Sequence, residues 1–130
     1  MCCSTGQNTS QTGIAVISTA NANLDGSGSM AILIAGRDNG LSVNSITIKA
    51  ITDTTQGMIR IFLSKDNGST KQLFKEIAIP ATTKSDVVPA LQMTLYLDLV
   101  VADGIEVYVS TEVAETFIII ADATTWLYPA

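Results

Sequence analysis

The side chains that most often carry catalysis are scarce in this sequence. Its 130 residues include no His, which removes His-based acid–base catalysis and every His-containing metal site. Ser64 and Lys65 are adjacent, so in a strand they point to opposite faces and cannot form a nucleophile–base pair with each other. Glu112 and Glu115 lie three residues apart in a predicted loop, where solvated charge is the usual role of a carboxylate. We therefore predict that the chain is not an enzyme and has no catalytic residue.

Metal and cofactor motifs are equally weak. Cys2 and Cys3 are the two cysteines of the chain, and a disulfide between neighbours would be strained. Two thiols without His do not fill a zinc site. The stretch 25–29, DGSGS, lacks the alternating acidic ligands and the terminal Glu of a calcium loop, so it is interpreted as a Gly-rich turn. We predict no cofactor and no bound metal.

Composition excludes two further classes of partner. The net charge is −5, and this acidic balance argues against binding to nucleic acid phosphates. No apolar run approaches the roughly 20 residues of a membrane-spanning helix. The first residues have neither the basic nor the apolar region of a secretory signal, which indicates synthesis and reduced thiols in the cytoplasm.

The elements are predicted by alternation of apolar and polar residues, which is typical of strands with one buried face. Such stretches are joined by turns rich in Gly, Asn and Asp, and Asn67-Gly68 is a strong hairpin signal. We predict an all-β fold, an antiparallel β-sandwich of about eight strands of jelly-roll or Greek-key type, with a closed barrel as the alternative. The predicted strands cover 13–19, 30–35, 43–52, 59–64, 73–79, 91–99, 105–110 and 116–123.

Three strands carry more specific expectations. The stretch 30–35 is fully apolar, so both of its faces should be covered. The stretch 91–99 has a Leu or Met at every second position, which favours a central place in its sheet. Lys75 interrupts the apolar face of 73–79 and is expected near a sheet edge, with its stem along apolar surface.

The ends are predicted to lie outside the sandwich, giving an N-terminal polar arm at 1–12, a domain at 13–123 and a C-terminal tail at 124–130. A polar arm is ordered only where something holds it, and a neighbouring chain is the first candidate. The aromatic tail either packs under the domain or docks on a partner. Outward aromatic side chains on strands are also frequent at protein–protein interfaces. The predicted partner-contact residues are Cys3, Ser4, Thr5, Phe62, Tyr96, Tyr108, Trp126, Leu127 and Tyr128.

Three stretches resemble segments of small β-rich structural proteins of tailed bacteriophages: 54–63 (TTQGMIRIFL), 13–21 (GIAVISTAN) and 110–117 (STEVAETF). In those proteins a Thr-rich turn and a Gly lead into an alternating strand with an Arg and an aromatic residue. Cys2, Cys3 and the aromatic C-terminus are not part of that pattern. The resemblance implies a virion structural protein of the capsid decoration (cement) type. It also implies a homo-oligomer, often a trimer, made in the host cytoplasm and placed on the capsid exterior against the major capsid protein.

Two functional hypotheses follow. The first is a capsid decoration protein that stabilises contacts between major capsid protein subunits, without nucleic acid or membrane as partner. The alternative is a tail-fibre or carbohydrate-binding β-sandwich module, which predicts a cleft lined by Trp126, Tyr96 or Tyr108.

Overall fold

The computed structural model of the protein describes residues 7–37 and 40–127. Within these ranges the chain forms eight β-strands and no helix. The strands are β1 (Gln7–Ile17), β2 (Ala31–Ala35), β3 (Leu41–Ala50), β4 (Gly57–Ser64), β5 (Gln72–Ile79), β6 (Gln92–Val101), β7 (Glu106–Thr111) and β8 (Phe117–Leu127).

The eight strands of the described chain make two four-stranded sheets with antiparallel pairing throughout. The first sheet has the order β1-β8-β3-β6, and the second has the order β2-β7-β4-β5. A single buried cluster draws alternate residues from both sheets, among them Ile48 and Phe117 of the first and Ile61 and Val109 of the second. This arrangement confirms the predicted all-β class, the strand number and the antiparallel pairing.

The two terminal strands pair with each other along their whole length. The register runs from Gln7 opposite Leu127 to Ile17 opposite Phe117. Residues 7–12 and 124–127 are therefore strand, which corrects the predicted boundaries of the polar arm and the tail. The polar stretch is held by backbone pairing to this chain's own β8, because ladder hydrogen bonds form whatever the polarity of the side chains.

Two expectations about individual strands are wrong. β6 was expected to be central but is an edge strand of the first sheet. Both faces of β2 were expected to be covered, but Ile32 is 45% exposed. The apolar pattern of a strand reports which of its faces meets the core, but it does not report how many strands lie beside it. Lys75 lies on β5, which is an edge strand as predicted.

The two lateral sides of the molecule differ. On one side β1 packs against β2, and Gly13 lies so close to the carbonyl group of Leu33 that a Cβ atom at position 13 would overlap its oxygen. On the other side the sheets end in β6 and β5. One side is thus closed by the chain itself, and the other presents two edge strands.

Candidate contact surfaces

The predicted contact residues at the two ends are only partly within the described chain. Cys3, Ser4, Thr5 and Tyr128 lie outside the described residues. The backbones of Trp126 and Leu127 belong to β8, where they pair with Asn8 and Gln7 of β1. The first and last residues of the described chain therefore pair with each other at one end of the β1–β8 ladder.

Phe62 does not have the exposed side chain that was predicted. It lies opposite Tyr108 of β7, so the two side chains share the face of the second sheet that points away from the core. Its exposed fraction is nevertheless 0%, and it is absent from the cluster between the sheets. The prediction of its outward direction holds, but the prediction of exposure is wrong.

Loops of this chain lie over that outer face of the second sheet. Two residues of the β4–β5 connection contact Tyr108. The Lys71 ammonium group lies 4.9 Å from the centre of the Tyr108 ring, which is a cation–π distance. Gly68 lies beside the Tyr108 hydroxyl. Gly26, in the loop between β1 and β2, abuts the backbone of Lys71. Two loops therefore stack on this face, which explains burial that the strand pattern does not reveal.

Tyr108 is half-buried under these loops. Its hydroxyl donates a hydrogen bond to Glu106 Oε1 at 3.0 Å. Burial, followed by this hydrogen bond and the charge of Glu106, raises the pKa of the Tyr108 hydroxyl above its ordinary value. Tyr108 is thus held by neighbours of its own chain rather than presented to solvent.

Tyr96 is the predicted contact residue that is strongly exposed. It lies on β6 in the first sheet, and 84% of its surface is accessible. Tyr96 and Tyr108 belong to different sheets, so these two side chains do not line a common cleft.

The outer face of the first sheet carries an aliphatic patch, which we call the β1–β8 patch and define as Ile14, Val16, Ile118 and Ile120. Ile14 is 63% exposed and Val16 is 60% exposed. Their partners across the strand pair, Ile120 and Ile118, are half-buried on the same face. This patch was not predicted from the sequence. The sequence nevertheless contains a sign of it, because residues 14–17 are all apolar and therefore give β1 two apolar faces.

The second sheet contains an ion-pair cluster that sequence reasoning missed. Arg60 is 7% exposed; its Nε donates to Glu76 at 2.9 Å and its Nη2 donates to Glu112 at 2.8 Å. Burial alone would lower the pKa of Arg60, but the hydrogen bonds and charges of the two carboxylates outweigh it and raise the pKa. Cross-strand pairing places Arg60 opposite Glu76, and the bend after β7 brings Glu112 alongside.

A groove of about 500 Å³ runs beside this cluster, lined by Arg60, Glu112 and the apolar side chains of Met58, Ile79 and Pro80. The Nη1 atom of Arg60 is buried and has no hydrogen-bond partner. Glu115 is the second glutamate of the predicted loop. It accepts hydrogen bonds from the backbone N–H and the hydroxyl of Thr55, at 3.0 and 2.9 Å. The two glutamates therefore hold loops and strands in place rather than face each other.

Within residues 7–37 and 40–127, no three His, Cys, Asp or Glu side chains come together as metal ligands. The same residues contain no helix long and apolar enough to cross a membrane. In comparisons with known proteins, no protein-family profile and no curated protein matches the chain.

Proposed function

We propose that the chain is a structural virion protein, a capsid decoration (cement) protein whose first sheet lies against the major capsid protein. The observation that carries this proposal is the β1–β8 patch. Ile14 and Val16 are both about 60% exposed on the outer face of a regular sheet. Burying such side chains at a contact stabilises it by roughly 25 cal/mol per Å² of apolar surface.

The difference between the two outer faces supports this orientation. The outer face of the second sheet is partly covered by the β4–β5 connection and the loop of Gly26, and Ile32 and Leu73 on that face are 45% and 37% exposed. On the outer face of the first sheet, Ile14 and Val16 are more exposed, at 63% and 60%. A protein that clamps neighbouring subunits needs one such face available to them.

The strand order supports a finer proposal about the fold, namely a jelly roll. In a jelly roll, strands 1, 8, 3 and 6 form one sheet and strands 2, 7, 4 and 5 form the other, which is the order found here. Jelly rolls are common in viral capsid proteins and in lectins. The net charge of −5 disfavours contact with packaged nucleic acid, which suits a place on the capsid exterior.

The test uses virions of the phage that encodes the chain. We expect cryo-electron microscopy to show density for this fold on the capsid exterior, with the β1–β8 patch against the major capsid protein. The double variant Ile14→Asp with Val16→Asp should lose binding to stripped capsids. Val87→Asp, at an aliphatic residue that is 90% exposed outside the patch, should bind like the original chain. Absence of the chain from the capsid exterior would refute the proposal.

The alternative is a tail-fibre or carbohydrate-binding module. Tyr96 favours it, because an exposed aromatic ring can stack on a sugar. A glycan array decides between the two roles: specific binding that is lost in Tyr96→Ala supports the alternative, and no binding to any glycan argues against it.

A further inference from the structure

The edge of β6 is unusual among the edge strands of the described chain. β1 and β2 pack against each other, and the close contact of Gly13 with the backbone of Leu33 covers part of the β1 edge. β5 contains two adjacent charged residues, Lys75 and Glu76, and charged side chains discourage edge pairing. β6 is ten residues long, has one charged residue, Asp98, and has no Pro. Its register with β3 shifts once, between the pairs Val43–Leu99 and Ser45–Tyr96, as the register of β5 with β4 also does.

The inward side chains of β6 are less buried than those of the central strands, because no strand lies beyond β6. Its inward side chains, Met93, Leu95, Leu97 and Leu99, pack against the core but are only partly buried. Residues equivalent in direction on the central strands β3 and β8, such as Ile48 and Ile119, are almost fully buried. A further strand beside β6 would complete the burial of the inward side chains and pair its free backbone groups.

The sequence of β6 is complementary to itself in antiparallel pairing. With Tyr96 at the centre, Leu95 lies opposite Leu97 and Met93 lies opposite Leu99. Every inward apolar residue thus meets another inward apolar residue, as the pleat requires.

The outward face is compatible with the same register. The charged residue Asp98 lies opposite Thr94 instead of a second Asp98, so no like charges meet. The two exposed Tyr96 rings come together at the centre, where aromatic cross-strand pairs stabilise a sheet. Registers centred on Leu95 or Leu97 keep the faces matched but separate the two tyrosines.

We propose that two copies of this chain associate through β6, antiparallel and centred on Tyr96, to form one continuous eight-stranded sheet. Such a contact is isologous and closes after two copies, so it specifies a dimer and not the trimer that the phage resemblance implies. The inference does not depend on the proposed virion role.

The first experiment tests the proposed β6–β6 register by placing charges at Thr94 and Asp98 of the full chain, which face each other across the contact. Thr94 and Asp98 are both exposed, so substitutions there leave the core intact. Thr94→Asp places two pairs of like charges across the contact and should raise the dimer dissociation constant about tenfold in sedimentation equilibrium. Asp98→Lys alone, which faces Thr94, should change it little. The double variant, which places Lys opposite Asp, should recover the original dimer.

The second experiment uses a cross-link that does not depend on the strength of association. In a background with Cys2 and Cys3 replaced by Ser, Tyr96→Cys places two sulfur-bearing residues directly opposite each other, at a Cα separation that suits a disulfide. Oxidation should give a covalent dimer. The control Ser69→Cys, an exposed residue of the β4–β5 connection, should remain monomeric.

Both experiments have outcomes that overturn the proposal. Light scattering that gives a single copy of 13.7 kDa at about 100 μM, or a trimer, contradicts the β6 dimer. So does a dimer that is insensitive to Thr94→Asp, or equal cross-linking of the Tyr96→Cys and Ser69→Cys variants. None of these results bears on capsid binding, so a failure of this proposal is distinct from a failure of the virion role.

Discussion

Phe62 shows that a residue can be buried on the outside of a sheet. Its ring lies beside Tyr108 on the face away from the core, yet it is fully inaccessible. On this face the β4–β5 connection stacks on the neighbouring Tyr108, with Lys71 over its ring and Gly68 beside its hydroxyl. The second sheet therefore has apolar packing on both faces, which raises the number of residues that contribute to stability.

We expect Phe62→Ala to lower the free energy of unfolding by about 3–5 kcal/mol, because it leaves a cavity under these loops. Urea denaturation measures the change. Phe74→Ala is the matched control on neighbouring β5, where the ring is 42% exposed, and it should cost less than half as much. Equal losses in the two variants would contradict this account of Phe62.

The Arg60 cluster makes a second prediction at the residue scale. The guanidinium group is buried, whereas the side chains of Glu76 and Glu112 are 41% and 37% exposed. Replacing both glutamates with Ala leaves the buried guanidinium charge without a partner and should lower the free energy of unfolding by about 3–5 kcal/mol. Arg60→Met removes the buried charge and leaves hydrated carboxylates, so its cost should be nearer 1 kcal/mol. Thermal or urea denaturation that ranks Arg60→Met as the more damaging change would refute this argument.

At the scale of elements, the β4–β5 connection is organised by one carboxylate and one turn. Asn67 and Gly68 both have positive φ, at 62° and 88°, which confirms the turn predicted from this dipeptide. Asp66 Oδ1 accepts hydrogen bonds from the Thr70 N–H at 2.8 Å and from the Ser64 hydroxyl at 2.9 Å. The bond from Thr70, with a smaller contribution from Ser64, lowers the pKa of Asp66.

This pKa shift predicts a pH dependence of stability. Since the folded pKa lies below the unfolded value of 3.8, the stabilisation is present above pH 3.8 and is lost as the pH falls through the lower, folded pKa. Asp66→Asn should therefore lower the Tm at neutral pH, and the difference from the original chain should shrink in acid. Asp86→Asn, at an exposed loop residue, serves as the control. A difference in Tm that stays constant from pH 7 to pH 2 would contradict the assignment.

The closed side of the molecule depends on Gly13. A side chain there would collide with the backbone of Leu33 on β2, and backbone cannot swing aside as a flexible side chain can. We expect Gly13→Val to cost about 1–3 kcal/mol through overpacking. Ile14→Val, next to it and exposed, should change the free energy of unfolding by less than about 0.5 kcal/mol. Calorimetry of the two variants tests the contrast.

At the scale of the whole molecule, alternation was sufficient to predict the fold class and the approximate strands, because one-sided burial leaves a period of two in the sequence. Positions within a sheet were not predictable. β6 was expected to be a central strand, and it is an edge strand. Edge or centre is decided by pairing between distant segments, which a single strand does not encode.

The contact surfaces were predicted only in part. Tyr96 was identified by its place in an alternating strand, and its exposure follows from that place. Phe62 was misjudged because its cover comes from loops, whose course depends on tertiary contacts. Residues 7–12 lack apolar alternation, yet they form strand because β8 supplies backbone partners. The Arg60 cluster joins residues from three places in the chain and leaves no local signal.

The sheet architecture predicts a graded pattern of amide exchange. Amides of β8 and β3, which have neighbours on both sides, should exchange slowly at all concentrations. Amides of the β5 edge should exchange quickly at all concentrations. Those of β6 should become protected as the protein concentration rises, because the proposed dimer covers them. Hydrogen exchange with mass spectrometry at two concentrations measures this, and equal exchange of β6 at both would count against the dimer.

The pairing of β1 with β8 has a consequence for biosynthesis. The first sheet joins the earliest and the latest strands of the described chain, so its ladder cannot close until β8 has emerged from the ribosome. Until that moment the isoleucines of β3 and β4 have no complete core to enter, and the nascent chain is open to aggregation and to chaperones. Folding of the two sheets is therefore expected to be completed only after β8 has been synthesised.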